Sequence, residues 1–349
     1  SKGAELVAES AGKKARLGDV LVGDVFLFAR QTTIDVSLGR DEAVRKAATD
    51  LPSVRVMMIK TIPAVDPQRD LAEEATSGWA TLNKNTAIQM NAAAFYLARG
   101  LSQDAGVPVG IIDLNMGHHF PIAWMSKEVL SETKTVFGEK ENHVGSMMEI
   151  MEKRFAEYEA PNPHPLDDPR FPAAGYNAVL HPMRGLAMKG MVLQLGNDYP
   201  YALYEKLVRE GNQTSRASLG QAYKDVYDIR KLCLYLEPTT IPRIPRAWRN
   251  TFGDDSLAVG WITPPGSDLV TMGRHHYEMR ELQRRTADKE DGVDLIMPGT
   301  EHVPFSAQPA DESLLGARCL AWLIGAVYKK DEAVATGPVF DHAVMDYST

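Results

Sequence analysis

The stretch VLVGDVFLFARQTTI, Val20 to Ile34, is apolar for most of its length and ends on the polar sequence Ala-Arg-Gln-Thr-Thr. This pattern predicts a buried strand over Val20–Phe28 that opens into a polar turn at its carboxyl end. Many α/β enzymes bind their ligands, and place a nucleophile, beyond the carboxyl ends of such strands. Ala29 and Arg30 stand at the predicted turn, and neither side chain can attack a substrate.

Apolar runs and helical spacings alternate along the rest of the chain. Further strands are predicted at residues 54–60, 107–116, 188–196, 256–262 and 292–297. Helices are predicted at residues 87–106 (with Thr86 as the N-cap), 138–160, 218–236, 277–288 and 311–328. Strands that alternate with helices predict a three-layer α/β/α domain with a mainly parallel sheet of about five strands.

The composition narrows the class of partner. The chain has 349 residues, 44% of them hydrophobic, and a net charge of −8. A nucleic acid or an anionic membrane surface favours a basic face, so neither is expected as a partner. No apolar run approaches the ~20 residues of a membrane-spanning helix. The two cysteines, Cys233 and Cys319, form neither a disulfide framework nor a metal-ligand spacing.

Five segments of the chain resemble, in order, the sequence blocks of a known family. Residues 23–34 resemble G-E-V-W-L-C-S-G-Q-S-N-M, and VPVGIIDLNMGHHFPIAWMS (107–126) resembles P-V-G-L-I-x-x-x-x-G-G-T-x-x-E-A-W-M. Residues 176–198 resemble the stretch that leads into W-Y-Q-G-E-x-N, YEMRELQ (277–283) resembles W-x-x-L-R-E-A-Q, and residues 308–328 resemble D-I-H-P with its following helix. The chain is therefore similar to the sialate O-acetylesterase-like branch of the SGNH (GDSL) hydrolases, which are carbohydrate esterases with a flavodoxin-like sheet.

The resemblance spans Leu17 to Tyr328 and implies a hydrolase-like domain at residues 17–330. Residues 1–16 and 331–349 are then expected to be short β segments that flank this domain. In the family the hydrolase domain is commonly part of a larger exported protein, which implies flanking domains and a secreted or periplasmic location. Glu5–Ala8 and Val339–Tyr347 are expected to pair with each other or to lie loosely against the α/β core.

The same alignment implies that the catalytic residues of the family have been replaced. The nucleophilic Ser falls on Ala29, the catalytic His on Gln308 and its Asp partner on Ser306. A methyl group cannot form an acyl-enzyme, and a Gln side chain cannot exchange a proton near neutral pH. We therefore expect a catalytically degenerate esterase domain that binds carbohydrate, such as an acetylated glycan, or has a structural role in a larger carbohydrate-related protein.

An alternative is a carbohydrate O-acetylesterase with a rebuilt active site. His302 with Glu301 would then supply the general base, and Thr32 or Thr33 would supply the nucleophile. The nucleophile and the base must come within hydrogen-bond reach of each other for this chemistry.

Ligand binding is expected at the carboxyl ends of the predicted strands. The candidate residues are Arg30, Gln31, Gly117, His118, His119 and Asn197. Ala29, Gly117, Asn197 and Gln308 are expected around one cleft, with Arg30 at its rim. Arg30 either clamps an anion or pairs with Asp24, Asp35 or another acid and plugs the cavity. No cofactor and no metal is expected, because the histidines lack an H-x-x-x-H or carboxylate spacing.

Overall fold

The computed structural model describes residues 3–31, 36–40, 42–117, 119–137, 140–143, 171–195, 238–264, 270–298 and 311–330. The strands are β1 (Ala4–Ser10), β2 (Lys13–Val20), β3 (Asp24–Gln31), β4 (Leu51–Lys60), β5 (Ala80–Leu82), β6 (Val109–Gly117), β7 (Lys134–Phe137), β8 (Lys140–His143), β9 (Gly190–Gln194), β10 (Ala258–Ile262) and β11 (Val293–Ile296). The helices are α1 (Glu42–Arg45), α2 (Lys84–Ala87), α3 (Ala92–Asp104), α4 (Lys127–Glu132), α5 (Ile244–Phe252), α6 (Val270–Ala287) and α7 (Glu312–Ala326).

A seven-stranded sheet forms the middle layer, in the order β11-β10-β9-β3-β6-β4-β5. Neighbouring strands from β11 through β4 are parallel, and only the short edge strand β5 runs antiparallel to its neighbour. The prediction of a mainly parallel sheet is confirmed. Because parallel strands end at the same edge, the carboxyl ends of β9, β3, β6 and β4 lie side by side.

Helices cover both faces of this sheet. Side chains alternate along β3, so Phe26 and Phe28 join the apolar cluster that includes residues of α3 and α7. Leu27 and Ala29 join the opposite cluster, which includes residues of α5 and α6. The predicted three-layer α/β/α arrangement is thus confirmed, with β3 in its centre.

The first core strand is shifted relative to its prediction. Val20 ends the separate β1–β2 hairpin, and β3 runs from Asp24 to Gln31 rather than from Val20 to Phe28. At Gly23 an added Cβ would lie within 1.9 Å of the Pro108 carbonyl oxygen, so this close approach requires a glycine. The predicted turn at Ala29 is therefore wrong: Ala29 lies inside the strand, and Gln31 is the last strand residue.

Two helix predictions also differ from the structure. Thr86 does not cap a long helix, because Asn83 caps the one-turn helix α2 and Asn91 caps α3. The helix predicted from Gly138 cannot begin there, since Lys140–His143 forms the hairpin strand β8 against β7. Asn91 accepts hydrogen bonds from the backbone N–H groups of Ala93 and Ala94, which is the usual way in which an Asn starts a helix.

The amino-terminal segment forms a hairpin, in which β1 pairs antiparallel with β2. Glu5–Ala8 therefore has a strand partner next to it in the sequence. Its predicted alternative partner, Val339–Tyr347, lies outside the described residues.

Candidate functional site at the carboxyl ends of the central strands

Ala29 lies inside β3, two residues before its carboxyl end. It pairs with Leu114 of β6 on one side and with Leu193 of β9 on the other, and its side chain is fully buried. Its side chain belongs to the core on the α5/α6 side of the sheet. Ala29 is therefore part of the core of the protein, and its correspondence to the nucleophile of the family stays a prediction.

Arg30 is buried and ion-paired within the protein. Its Nη1 lies 2.5 Å from the Glu312 carboxylate at the start of α7 and 3.5 Å from the Asn91 side-chain oxygen. Arg40 lies at 4.0 Å from the other oxygen of Glu312. Arg30 is buried, with 7% of its surface exposed. Of the two roles expected for it, it has the second: it pairs with an acid of the protein, and that acid is Glu312.

Gln31 and Gly117 pair at the carboxyl ends of β3 and β6, where the register between the two strands shifts by one residue. Arg30 pairs with Asn115, whereas Gln31 pairs with Gly117, so Met116 is skipped. Gly117 has φ +59°, a conformation that favours glycine. The fully buried Gln31 amide donates to the His119 carbonyl oxygen at 2.8 Å. Three of the predicted ligand residues, Gln31, Gly117 and His119, are thus brought together.

A row of polar residues crosses four adjacent strands at their carboxyl ends. Gln194 of β9 is in register with Arg30, Arg30 with Asn115 of β6, and Asn115 with Lys60 of β4. Residues in register on neighbouring strands point to the same face, which here is the α3/α7 face. Gln194 and Arg30 are buried, while Asn115 and Lys60 are exposed. The row therefore runs from the core to the surface.

A cavity of about 440 Å³ opens beside this row. We call it the Asp113 cavity, and it is bounded in part by Arg30, Ser37, Lys60, Ser77, Asp113 and Asn115. Among the described residues, strands β3, β6 and β4 of the sheet line the cavity. Loop residues 36–37 and residues 74–77 also line it.

Asp113 lies on β6 two residues before Asn115, and it is in register with Phe28 of β3 and Met58 of β4. Its Oδ2 accepts a hydrogen bond of 2.7 Å from the Asn91 backbone N–H. Burial raises the pKa of this carboxyl to about 6, against the lowering effects of the Asn91 hydrogen bond and the Arg30 charge. Asp113 therefore changes its charge within the physiological pH range.

Sequence reasoning missed Asp113, Lys60 and Gln194. A signal was present for Asp113, since an Asp inside the apolar run VPVGIIDLNM is unusual for a strand buried on both faces. Lys60 and Gln194 carry no such signal, because their relation to Arg30 depends on the order of strands in the sheet.

Several predicted site residues lie outside the described residues: His118, Asn197, His302, Ser306 and Gln308, together with Thr32 and Thr33. The predicted grouping of Ala29, Gly117, Asn197 and Gln308 around one cleft therefore stays a prediction. Within the described part of the chain, no group of three or more His, Cys, Asp or Glu side chains could hold a metal ion. In the same part, no helix is both long and apolar enough to cross a membrane.

Comparison with known proteins gives two matches. The sequence is 24% identical to mouse (Mus musculus) sialate O-acetylesterase over 222 residues, which is 57% of this chain and 40% of the mouse protein. The fold matches the crystal structure of a carbohydrate acetylesterase from Xanthomonas citri with a TM-score of 0.65 and 20% identity, over 98% of this chain and 65% of the other. No protein-family model matches the chain.

The chain is similar in sequence to a sialate O-acetylesterase. The mouse sequence confirms the resemblance to the sialate O-acetylesterases, and the fold is similar to that of the Xanthomonas citri carbohydrate acetylesterase. The chain spans less than two thirds of the length of either relative.

Proposed function

We propose that this carbohydrate acetylesterase-like domain binds carbohydrate, such as an acetylated glycan, without hydrolysing it. One observation carries the proposal. The last two residues of the central strand, Arg30 and Gln31, have buried side chains that are bonded to Glu312 and to the His119 carbonyl oxygen. Neither is a nucleophile, and an Arg that is neutralised by a buried carboxylate does not serve as a base.

The polar cavity beside the strand ends supports the binding half of the proposal. Its volume lies within the ~300–1,000 Å³ of small-molecule sites. Amide, hydroxyl and charged side chains line it next to the apolar Val36 and Met58. Such a mixed lining suits a ligand with many hydroxyl groups and apolar ring carbons.

Acetate release and binding, measured on the same preparation, test the proposal. Acetylated xylan and p-nitrophenyl acetate would be the substrates, with the Xanthomonas citri acetylesterase as the positive control. We expect release no faster than the uncatalysed rate, together with saturable binding of acetylated xylo-oligosaccharides in titration calorimetry. Turnover that saturates with substrate would overturn the absence of hydrolysis, and a lack of binding to any acetylated glycan would overturn the binding role.

A second candidate function is hydrolysis by a rebuilt site, with His302 as the base. The position of β3 favours this second candidate. The strand ends at Gln31 and not, as predicted, before Ala29, so the first residue after the strand is Thr32. A hydroxyl group thus follows the central strand directly, which is where the fold presents ligand-binding groups.

Two matched variants separate this candidate from contaminating esterase activity. Thr32→Ala and Thr33→Ala each remove one hydroxyl from the same dipeptide. If Thr32 is the nucleophile, Thr32→Ala and His302→Ala abolish acetate release, while Thr33→Ala retains it. Acetate release at the wild-type rate by all three variants would exclude the rebuilt site.

A further inference from the structure

The Asp113 cavity contains a buried carboxyl group whose hydrogen bonds within the described residues are incomplete. Of its two oxygens, only Oδ2 has a hydrogen-bond donor among the described residues, the Asn91 backbone N–H. Asp113 is nevertheless 93% buried, with 7% of its surface exposed, and it lines the cavity. A buried carboxylate with an incomplete set of donors destabilises a fold. A buried carboxyl group that lines a cavity is a candidate functional group.

The charges around the cavity argue against an anionic ligand. Arg30 is already neutralised by Glu312, and the rim carries both Lys60 and Glu74. The amino terminus of α3 also points toward Asp113. Its first backbone N–H groups are already bonded, however: Ala92 donates to the Val36 carbonyl oxygen, and Ala93 and Ala94 donate to the Asn91 side chain. No free backbone donor remains there for an anion.

The remaining groups suit an uncharged ligand with several hydroxyls. A carboxylate is an acceptor only, so ionised Asp113 needs a ligand that donates. The exposed Asn115 amide at the rim can both donate and accept. Neighbouring hydroxyls of a sugar ring donate and accept in this way, and the ring carbons can contact Val36 and Met58.

We propose that the Asp113 cavity is the saccharide site of this domain and takes one uncharged sugar unit, whose hydroxyls donate to the carboxylate of Asp113. The assignment rests on the proposed carbohydrate-binding function. It adds where the sugar binds, which residue recognises it, and that the sugar is uncharged. It also predicts selectivity, because an acidic sugar such as sialic acid would bring a second carboxylate next to Asp113 and Glu74.

Titration calorimetry of the full chain with neutral acetylated xylo-oligosaccharides tests the assignment. Asp113→Asn keeps the side-chain shape but turns one acceptor into a donor, and we expect it to weaken binding at pH 7.5 at least tenfold. The wild type should bind up to about tenfold more weakly at pH 5.0, where Asp113 is mostly protonated, while Asp113→Asn should show no such change. Free sialic acid should bind at least tenfold more weakly than the neutral sugar.

A pair of tryptophan variants locates the site without altering Asp113. Gln89 is exposed and lines the cavity, so Gln89→Trp should block it. Gln103 is exposed near the carboxyl end of α3, away from the cavity, so Gln103→Trp is the matched control. Binding that is lost in Gln89→Trp and kept in Gln103→Trp supports the site. If wild type and all variants bind alike, the cavity assignment is wrong and the carbohydrate-binding function stands; if the wild type binds no sugar, both fail.

Discussion

The Asp113 carboxyl makes the stability of the protein depend on pH. Its pKa is raised from 3.8 to about 6 in the folded state. Between these values the folded protein holds more protons than the unfolded chain, so the free energy of unfolding falls as the pH rises. At ~1.4 kcal/mol per pKa unit, ionised Asp113 costs the folded protein about 3 kcal/mol above pH 6. Asp113→Asn, whose amide oxygen can still accept from Asn91, should therefore be more stable than wild type at pH 7.5 by up to that amount.

Urea unfolding at pH 4.5 and pH 7.5 measures this effect. The stabilisation by Asp113→Asn should be small at pH 4.5 and large at pH 7.5. A variant that is less stable than wild type at both pH values would show that the carboxyl supports the fold, which would count against its role in ligand binding.

Removing one partner of the Arg30–Glu312 pair is expected to destabilise the protein more than removing both. Both side chains are buried, at 8% and 1% exposure. Among the described residues, Arg30→Met leaves Glu312 paired only with Arg40 at 4.0 Å, and the loss of one partner from a buried ion pair costs ~3–5 kcal/mol. The double variant Arg30→Met with Glu312→Leu removes both charges and should recover most of this loss. A double variant as unstable as Arg30→Met alone, in the same denaturant assay, would show that packing rather than charge dominates at this position.

Neither Glu312 as the partner of Arg30 nor the proton affinity of Asp113 could be read from the sequence. Arg30 and Glu312 are separated by 282 positions, and any of several acids was an equally good partner by composition. The pKa of Asp113 is set by its burial between β3 and β4 and by the amino terminus of α3, and these are properties of the tertiary structure. The sequence did show that Arg30 stands near the end of a central strand.

Packing of α7 on β10 depends on the absence of a side chain at Gly260. An added Cβ would lie 2.6 Å from the Trp322 ring and 2.7 Å from the Ile296 Cδ1. Trp322 cannot move aside easily, because its Nε1 donates to Asp294 at 2.9 Å. Gly260→Ala should therefore lower the free energy of unfolding by ~1–3 kcal/mol through overpacking.

Gly18→Ala is the matched control for Gly260→Ala. Gly18 lies on the exposed strand β2, and no atom would come within 4 Å of an added Cβ. Chemical denaturation should show little change for this variant. Equal losses at the two positions would mean that the cost arises in the backbone and not from contact with α7.

Strands were easier to predict than their ends. The strands of the parallel sheet are buried on both faces, so they appear as apolar runs, and β4, β6, β9, β10 and β11 were all expected near their observed positions. The error at β3 arose because Val20–Val22 continue the apolar run although they belong to the hairpin and its connection. Local sequence does not reveal where the sheet begins, since that depends on the contact of Gly23 with Pro108.

We expect the β1–β2 hairpin to contribute little to the stability of the whole molecule. Every residue of β1 is exposed, including Leu6 at 60%, as is Leu17 of β2 at 62%. Among the described residues, the ion pair of Asp19 with Arg55 at 2.7 Å links the side chains of the hairpin to the sheet. An ion pair with one exposed partner contributes ~0–1 kcal/mol. Removal of residues 1–20 should therefore change the free energy of unfolding by no more than about 1 kcal/mol.

Asp19→Asn in the full-length chain is the control, because it removes the ion pair and keeps the hairpin. A shortened chain that loses several kcal/mol more than Asp19→Asn, measured by urea unfolding, would indicate that the hairpin packs on the core.

Backbone hydrogen bonds hold one wall of the Asp113 cavity in place. Leu38 and Gly39 donate backbone hydrogen bonds to the Met90 and Ile88 carbonyl oxygens, and Ala92 donates back to Val36. Ordering one free loop residue costs ~1–2 kcal/mol of conformational entropy. Because Val36–Gly39 have already lost that freedom during folding, a sugar entering the cavity need not restrain them again. Association should thus be rapid and carry a small entropic penalty, as expected for a preorganised site.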